Sequence, residues 1–85
     1  MKKLTEYQKD VLLEWGRAWL DYYEKTLIYR NNMNSAEFKH AHRNCRECEI
    51  GTLAIAQALQ VECSLVDHRF IVSTKKDGEL FSWGI

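Results

Sequence analysis

A chain of 85 residues has room for one hydrophobic core, since chains of this size bury only about 60% of the surface their unfolded form exposes, and a second domain is excluded. Apolar residues at 46% and charged residues at 28% exclude the low-hydrophobicity, high-charge composition of disordered chains. Twelve Lys and Arg balance twelve Asp and Glu, so no overall field draws the chain to nucleic acid or anionic lipid, and neither is an expected partner.

Met1-Lys2-Lys3 has the charge of an export-signal start, but Glu6, Lys9 and Asp10 interrupt the apolar segment that would have to follow. The least polar run, residues 50 to 61, contains Gln57 and Gln60 and falls short of the roughly 20 residues a bilayer span needs. Three cysteines cannot all pair within one chain, which fits reduced thiols. The expectation is a cytoplasmic protein with no membrane association.

Thr5-Glu6-Tyr7-Gln8 has the form of a capping box, so a first helix is predicted over about residues 5–30. At about 100° per residue, Asp10, Glu14, Arg17, Asp21 and Glu24 fall on one polar stripe. Arg17 has Glu14 and Asp21 within reach along that stripe, and Asp21 has Lys25. The rest is almost wholly apolar: Val11, Leu12, Trp15, Trp19, Tyr22, Leu27 and their neighbours cover roughly 200° of circumference, about twice the minimum for a core-facing stripe. Such a helix needs cover on at least two sides.

Asn31-Asn32-Met33-Asn34-Ser35 is a loop, and Asn34 as N-cap would put Glu37 at the third helical position of a second helix over about 35–63. Its apolar seam, Phe38, Ala41, Cys45, Cys48, Thr52, Ile55 and Leu59, alternates in steps of three and four and is predicted to meet the first helix antiparallel. Gly51, Ala54, Ala56 and Ala58 permit another backbone to approach, so the second half of this helix is expected to be the more deeply buried.

Beyond Cys63 the period shortens towards two. Arg69 to Ser73 and Leu80 to Trp83 flank Asp77-Gly78, the mark of a β-hairpin over about 69–83. Leu65-Val66, ahead of a turn at Asp67-His68, offers a third strand that would make a meander. The fold class is therefore α+β, with Phe70, Val72, Phe81 and Trp83 packing on the wide face of the first helix.

Four constellations bear on function. Cys45-x-x-Cys48, Cys63 and His68, with His40 and His42 upstream, form a candidate zinc set. In a continuous helix, however, Cys63 would lie about 22 Å from Cys48, and buried free cysteine behaves as a small hydrophobe. Lys39, Arg43 and Arg46, at i, i+4 and i+7, make a basic surface stripe open to phosphate or an acidic partner, diluted by Glu47 and Glu49. His42 and Cys45 sit three apart with Asp67-His68 as a further base, but a nucleophilic cysteine needs an exposed, electropositive setting. Trp15, Trp19, Tyr22, Tyr23 and Tyr29 form an aromatic set that one short chain has few elements to cover.

The expectation is a non-catalytic interaction or regulatory module that binds another protein or itself, as a homodimer through its first helix, with no cofactor. The alternatives are a small zinc-stabilised domain and a stand-alone inhibitor of a larger enzyme encoded by a mobile element.

Overall fold

Helix α1 (Glu6–Tyr29) starts at the expected capping box: the Gln8 amide donates to the Thr5 hydroxyl at 3.1 Å, and the Thr5 amide donates to the Gln8 side chain at 3.0 Å. Two orphan donors are thereby satisfied at once. Helix α2 (Ala36–Leu59) is capped one residue later than expected, by Ser35, whose hydroxyl accepts from the Phe38 amide at 3.1 Å and donates to the Asn32 carbonyl at 2.7 Å. The double anchorage of Ser35 explains the shift, since it ties the loop to the helix start.

The computed structural model describes residues 2–84, and its remaining elements are strands β1 (Glu62–Val66), β2 (Arg69–Thr74) and β3 (Gly78–Gly84). They form an antiparallel sheet in the order β1-β2-β3, the meander rather than the bare hairpin. The second helix therefore does not reach Cys63. It ends at Gln60, which takes the left-handed conformation at φ 60° and lets the Val61 amide donate to the Ala56 carbonyl at 2.9 Å. Cys63 lies instead on β1, paired with Val72.

Both turns of the sheet use left-handed backbone. Asp67 (φ 50°) and His68 (φ 62°) form the two-residue connection between Val66 and Arg69, the mirror-image geometry that matches strand twist. Between β2 and β3 only Gly78 has positive φ, 74°, and the Thr74 hydroxyl accepts from the Asp77 amide at 2.9 Å. Val72 pairs with Phe81 but Ser73 with Glu79, so Leu80 is the extra residue of a bulge. That extra residue lets Leu80 and Phe81 both pack at the margin of the core.

Leu12, Trp19, Ala56, Val61, Phe70 and Val72 form the central buried cluster, and Leu20 is fully enclosed as well. The Phe70 ring lies on the backbone of Gly16, where a Cβ would come within 3.0 Å of three ring carbons. Trp19 meets the same ring edge-on at 6.3 Å between centroids. Of the expected heptad seam, Ala41 and Thr52 are buried and Phe38, Cys45, Cys48, Ile55 and Leu59 half-buried, with Ala56 buried beside it and the Thr52 hydroxyl donating to the Cys48 carbonyl at 2.6 Å.

The sheet covers one side of the helical pair along much of α1. At one end, His68 Nδ1 lies 2.5 Å from the Glu24 carboxylate; at the other, the Lys2 amide donates to Asp77 at 2.8 Å. The last turn of α1, the connecting loop and the start of α2 project beyond it. Extents of 45 × 21 × 19 Å and a radius of gyration of 13.7 Å follow, against roughly 12 Å for a compact chain of this length.

Candidate interaction surface

With α2 on one flank of α1 and the sheet on a second, a third flank stays open. Tyr7, Val11, Trp15, Ala18, Tyr22 and Tyr29 recur at spacings that keep them on one side of a helix, away from the sheet-facing Leu12, Gly16 and Leu20. Three contacts fix the level of this row against α2. Tyr7 and Val11 line a groove with Ile55, Ala58 and Leu59. The Trp15 indole lies over Gly51, where a Cβ would overlap it. Tyr22 meets His40 edge-on at 6.3 Å.

This face is apolar and open to water: Tyr7 is 77% exposed and Trp15 39%, and Ala54 and Ala58 are exposed beside them. The second half of α2 is the more enclosed half, as expected, burying Thr52 and Ala56 where the first half buries Ala41, although Ala54 and Ala58 stay exposed. Its small residues receive an indole instead of another backbone, and Ile50 and Leu53 also stand in solvent. The outward side of the sheet is the more polar surface, carrying Ser64, Arg69, Ser73 and Ser82, with the Arg69 guanidinium donating to the Ser82 hydroxyl and lying 3.6 Å from the Glu79 carboxylate.

Of the five aromatic residues singled out from the sequence, Trp19 is 7% exposed and belongs to the core. Trp15, Tyr23 and Tyr29 reach solvent, and Tyr22 is half-buried against His40. Tyr7 was hidden in the sequence by the role of its segment as a helix start, although it extends the row one turn upstream of Val11. Of the polar stripe, Asp21 does pair with Lys25, at 3.2 Å, while Arg17 turns to the sheet and lies 4.8 Å above the Trp83 ring.

The cysteines do not assemble a site. Among the described residues, no three His, Cys, Asp or Glu side chains converge to hold a metal. Cys45 and Cys48 sit on α2 and Cys63 on β1, all packed at the margin of the core, while His68 is engaged by Glu24. Burial pushes the Cys45 thiol up, with Glu49 and Cys48 adding to it, and burial followed by Glu47 does the same for Cys48. Burial alone pushes Cys63 from the ordinary 9.0 up to about 11. These shifts disfavour the thiolate that nucleophilic attack and metal ligation both require. His42 stacks on Phe38 at 5.7 Å.

A raised thiol pKa in the fold means that the unfolded chain ionises first. The stabilisation is therefore complete below the ordinary thiol range and is lost as pH rises, for Cys63 between 9.0 and about 11. All three thiols are expected to react slowly with an aromatic disulfide reagent at about pH 8 in the native state, and rapidly in denaturant. A native rate equal to that of free cysteine would contradict their placement.

Lys39, Arg43 and Arg46 are exposed on α2, and among the described residues no carboxylate lies within 4.0 Å of them. Among the described residues, no helix is long and apolar enough to cross a membrane. No family model, no curated protein and no solved structure matches the chain.

Proposed function

We propose that this chain is a non-catalytic protein-interaction module whose working surface is the open flank of the helical pair, and that it self-associates there through α1 in the cytoplasm. The observation that carries this is the row of exposed Tyr7 and Trp15 with half-buried Val11 between them, beside exposed Ala54 and Ala58, apolar where the outer side of a helix layer is ordinarily polar. Contiguous patches of this kind mark interaction surfaces, and Tyr and Trp are enriched in them. The raised thiols and the absence of a converging ligand set among the described residues favour binding over catalysis.

Sedimentation velocity over a concentration series tests the proposal with the wild type and a Trp15→Glu variant. The wild type is expected to associate, and the variant to remain folded by circular dichroism while sedimenting as a monomer. A wild type that stays monomeric at concentrations of about 100 μM, where even a Kd of that order would half-populate a dimer, overturns self-association.

A further inference from the structure

Three quantities specify how a second copy seats on the open flank. The first is area. The chain exposes 5948 Å², about 650 Å² more than the roughly 5300 Å² expected of a folded monomer of 10.1 kDa. A standard stable interface takes roughly 800 Å² from each partner. The surplus is spread over an elongated chain of 45 × 21 × 19 Å, of which the open flank is one long side.

The second is shape. On the open flank α1 carries the bulky side chains Tyr7, Val11, Trp15 and Tyr22 with Ala18 among them, and the second half of α2 carries the small ones, Gly51, Ala54 and Ala58, with Glu47 one turn before them on the same row. If α1 packed on α1 of the second copy, bulk would oppose bulk while the two α2 helices faced each other across a gap. If α1 packs instead on α2 of the second copy, Tyr7, Val11 and Trp15 come level with Ala58, Ala54 and Gly51, while Tyr22 comes level with His40. That choice fixes the two-fold axis parallel to the helices, and every neighbouring pair of the resulting four helices is then antiparallel.

The third is charge. The contacts of Trp15 with Gly51 and of Tyr22 with His40 put Asp21 level with Arg43. Asp21 lies about 80° round α1 from Val11, and Arg43 lies about 80° round α2 from Gly51 and about 20° from Ala54, each on the side of the flank away from the other helix. Within one chain they are on opposite margins, and among the described residues Asp21 pairs with Lys25 and not with Arg43. Laying α1 across α2 of a second copy brings Asp21 to Arg43, with Lys25 and Lys39 level one turn further on, and symmetry produces the arrangement twice.

Resting on the reading of the open flank as a self-association surface, we infer that two copies form an antiparallel four-helix core, α1 of each on α2 of the other, with a sheet on each outside and Asp21 of one copy facing Arg43 of the other. Part of the basic stripe thereby acquires a role as the device that sets the arrangement, with no need of an anionic ligand.

Charge exchange tests this. Asp21→Arg and Arg43→Asp lie on the surface and are expected to leave the fold intact by circular dichroism. Each alone places like charges at both symmetry-related contacts, weakening the dimer by about tenfold. An equimolar mixture of the two variants restores both contacts and is expected to dimerise at near wild-type affinity. A dimer that Trp15→Glu dissociates but neither charge reversal weakens, or a mixture no tighter than the separate variants, overturns the crossed arrangement while leaving the docking surface standing. A monomeric wild type overturns both.

Discussion

Replacing Gly16 with Ala is expected to cost about 2–3 kcal/mol, lowering Tm by on the order of 10–20 °C in a domain of this size. In an isolated helix the same change would stabilise by about 1 kcal/mol. The sign reverses because the new Cβ would fall inside contact distance of three carbons of the fully buried Phe70 ring, packed besides against Trp19. The ring has no empty volume to enter, so backbone or sheet must shift. Gly51→Ala is the internal control: its Cβ would meet the Trp15 indole, which is 39% exposed and free to swing outward. Stability there is expected to change by less than about 1 kcal/mol, with a red shift in tryptophan emission. Urea melts of the two variants check the contrast, and equal losses would mean that Phe70 is not seated on Gly16. Phe70→Leu introduced into the Gly16→Ala background is expected to cost less than it does alone, because the two positions share one volume.

Trp19→Glu is expected to leave no folded protein. Removing a buried indole costs about 3–5 kcal/mol, and a carboxylate left without a partner in that site adds several more. Together these approach or exceed the roughly 4–13 kcal/mol available to 85 residues. The same substitution at Trp15 is expected to stay within about 2 kcal/mol, since that side chain already meets solvent. Far-ultraviolet circular dichroism distinguishes the two directly. Only Trp15 is therefore a usable probe of association, because a variant that does not fold says nothing about a surface. A folded Trp19→Glu protein would refute the placement of that indole beneath the sheet.

Both tryptophans belong to the same apolar sweep of α1 in the sequence, and what separates them is informative. Periodicity marks which residues share a helix side, so the capping box at Thr5 and Gln8 and the seam through Ala41 and Thr52 were legible. It does not say how many sides will be covered. That number depended on the sheet, which settles over Leu12, Gly16 and Trp19 and leaves Trp15 outside. Gly16 was opaque for the same reason: nothing local demands glycine there, and its cause is a ring arriving from 54 positions downstream.

The end of α2 was misplaced because no glycine or proline announces it. Gln60 takes a conformation that its side chain disfavours, and Val61, Cys63 and Leu65 prolong an apolar pattern that a helix shares over so short a stretch. The cysteine set looked like a ligand cluster only in one dimension. Once β1 began at Glu62, Cys63 took a place on the inner margin of the sheet, and the turn at Asp67-His68 carried the imidazole to Glu24.

Strand order here repeats chain order, and the two helices are joined by a short loop. Each spatial neighbour is thus close in sequence until the finished meander closes onto the helices, which places folding on the order of milliseconds. During synthesis, however, the helices leave the ribosome before β2 does. Until the Phe70 ring arrives to fill the notch at Gly16, Leu12, Leu20 and the Trp19 indole remain in water. The nascent chain passes through a brief interval in which its future interior is its stickiest exterior.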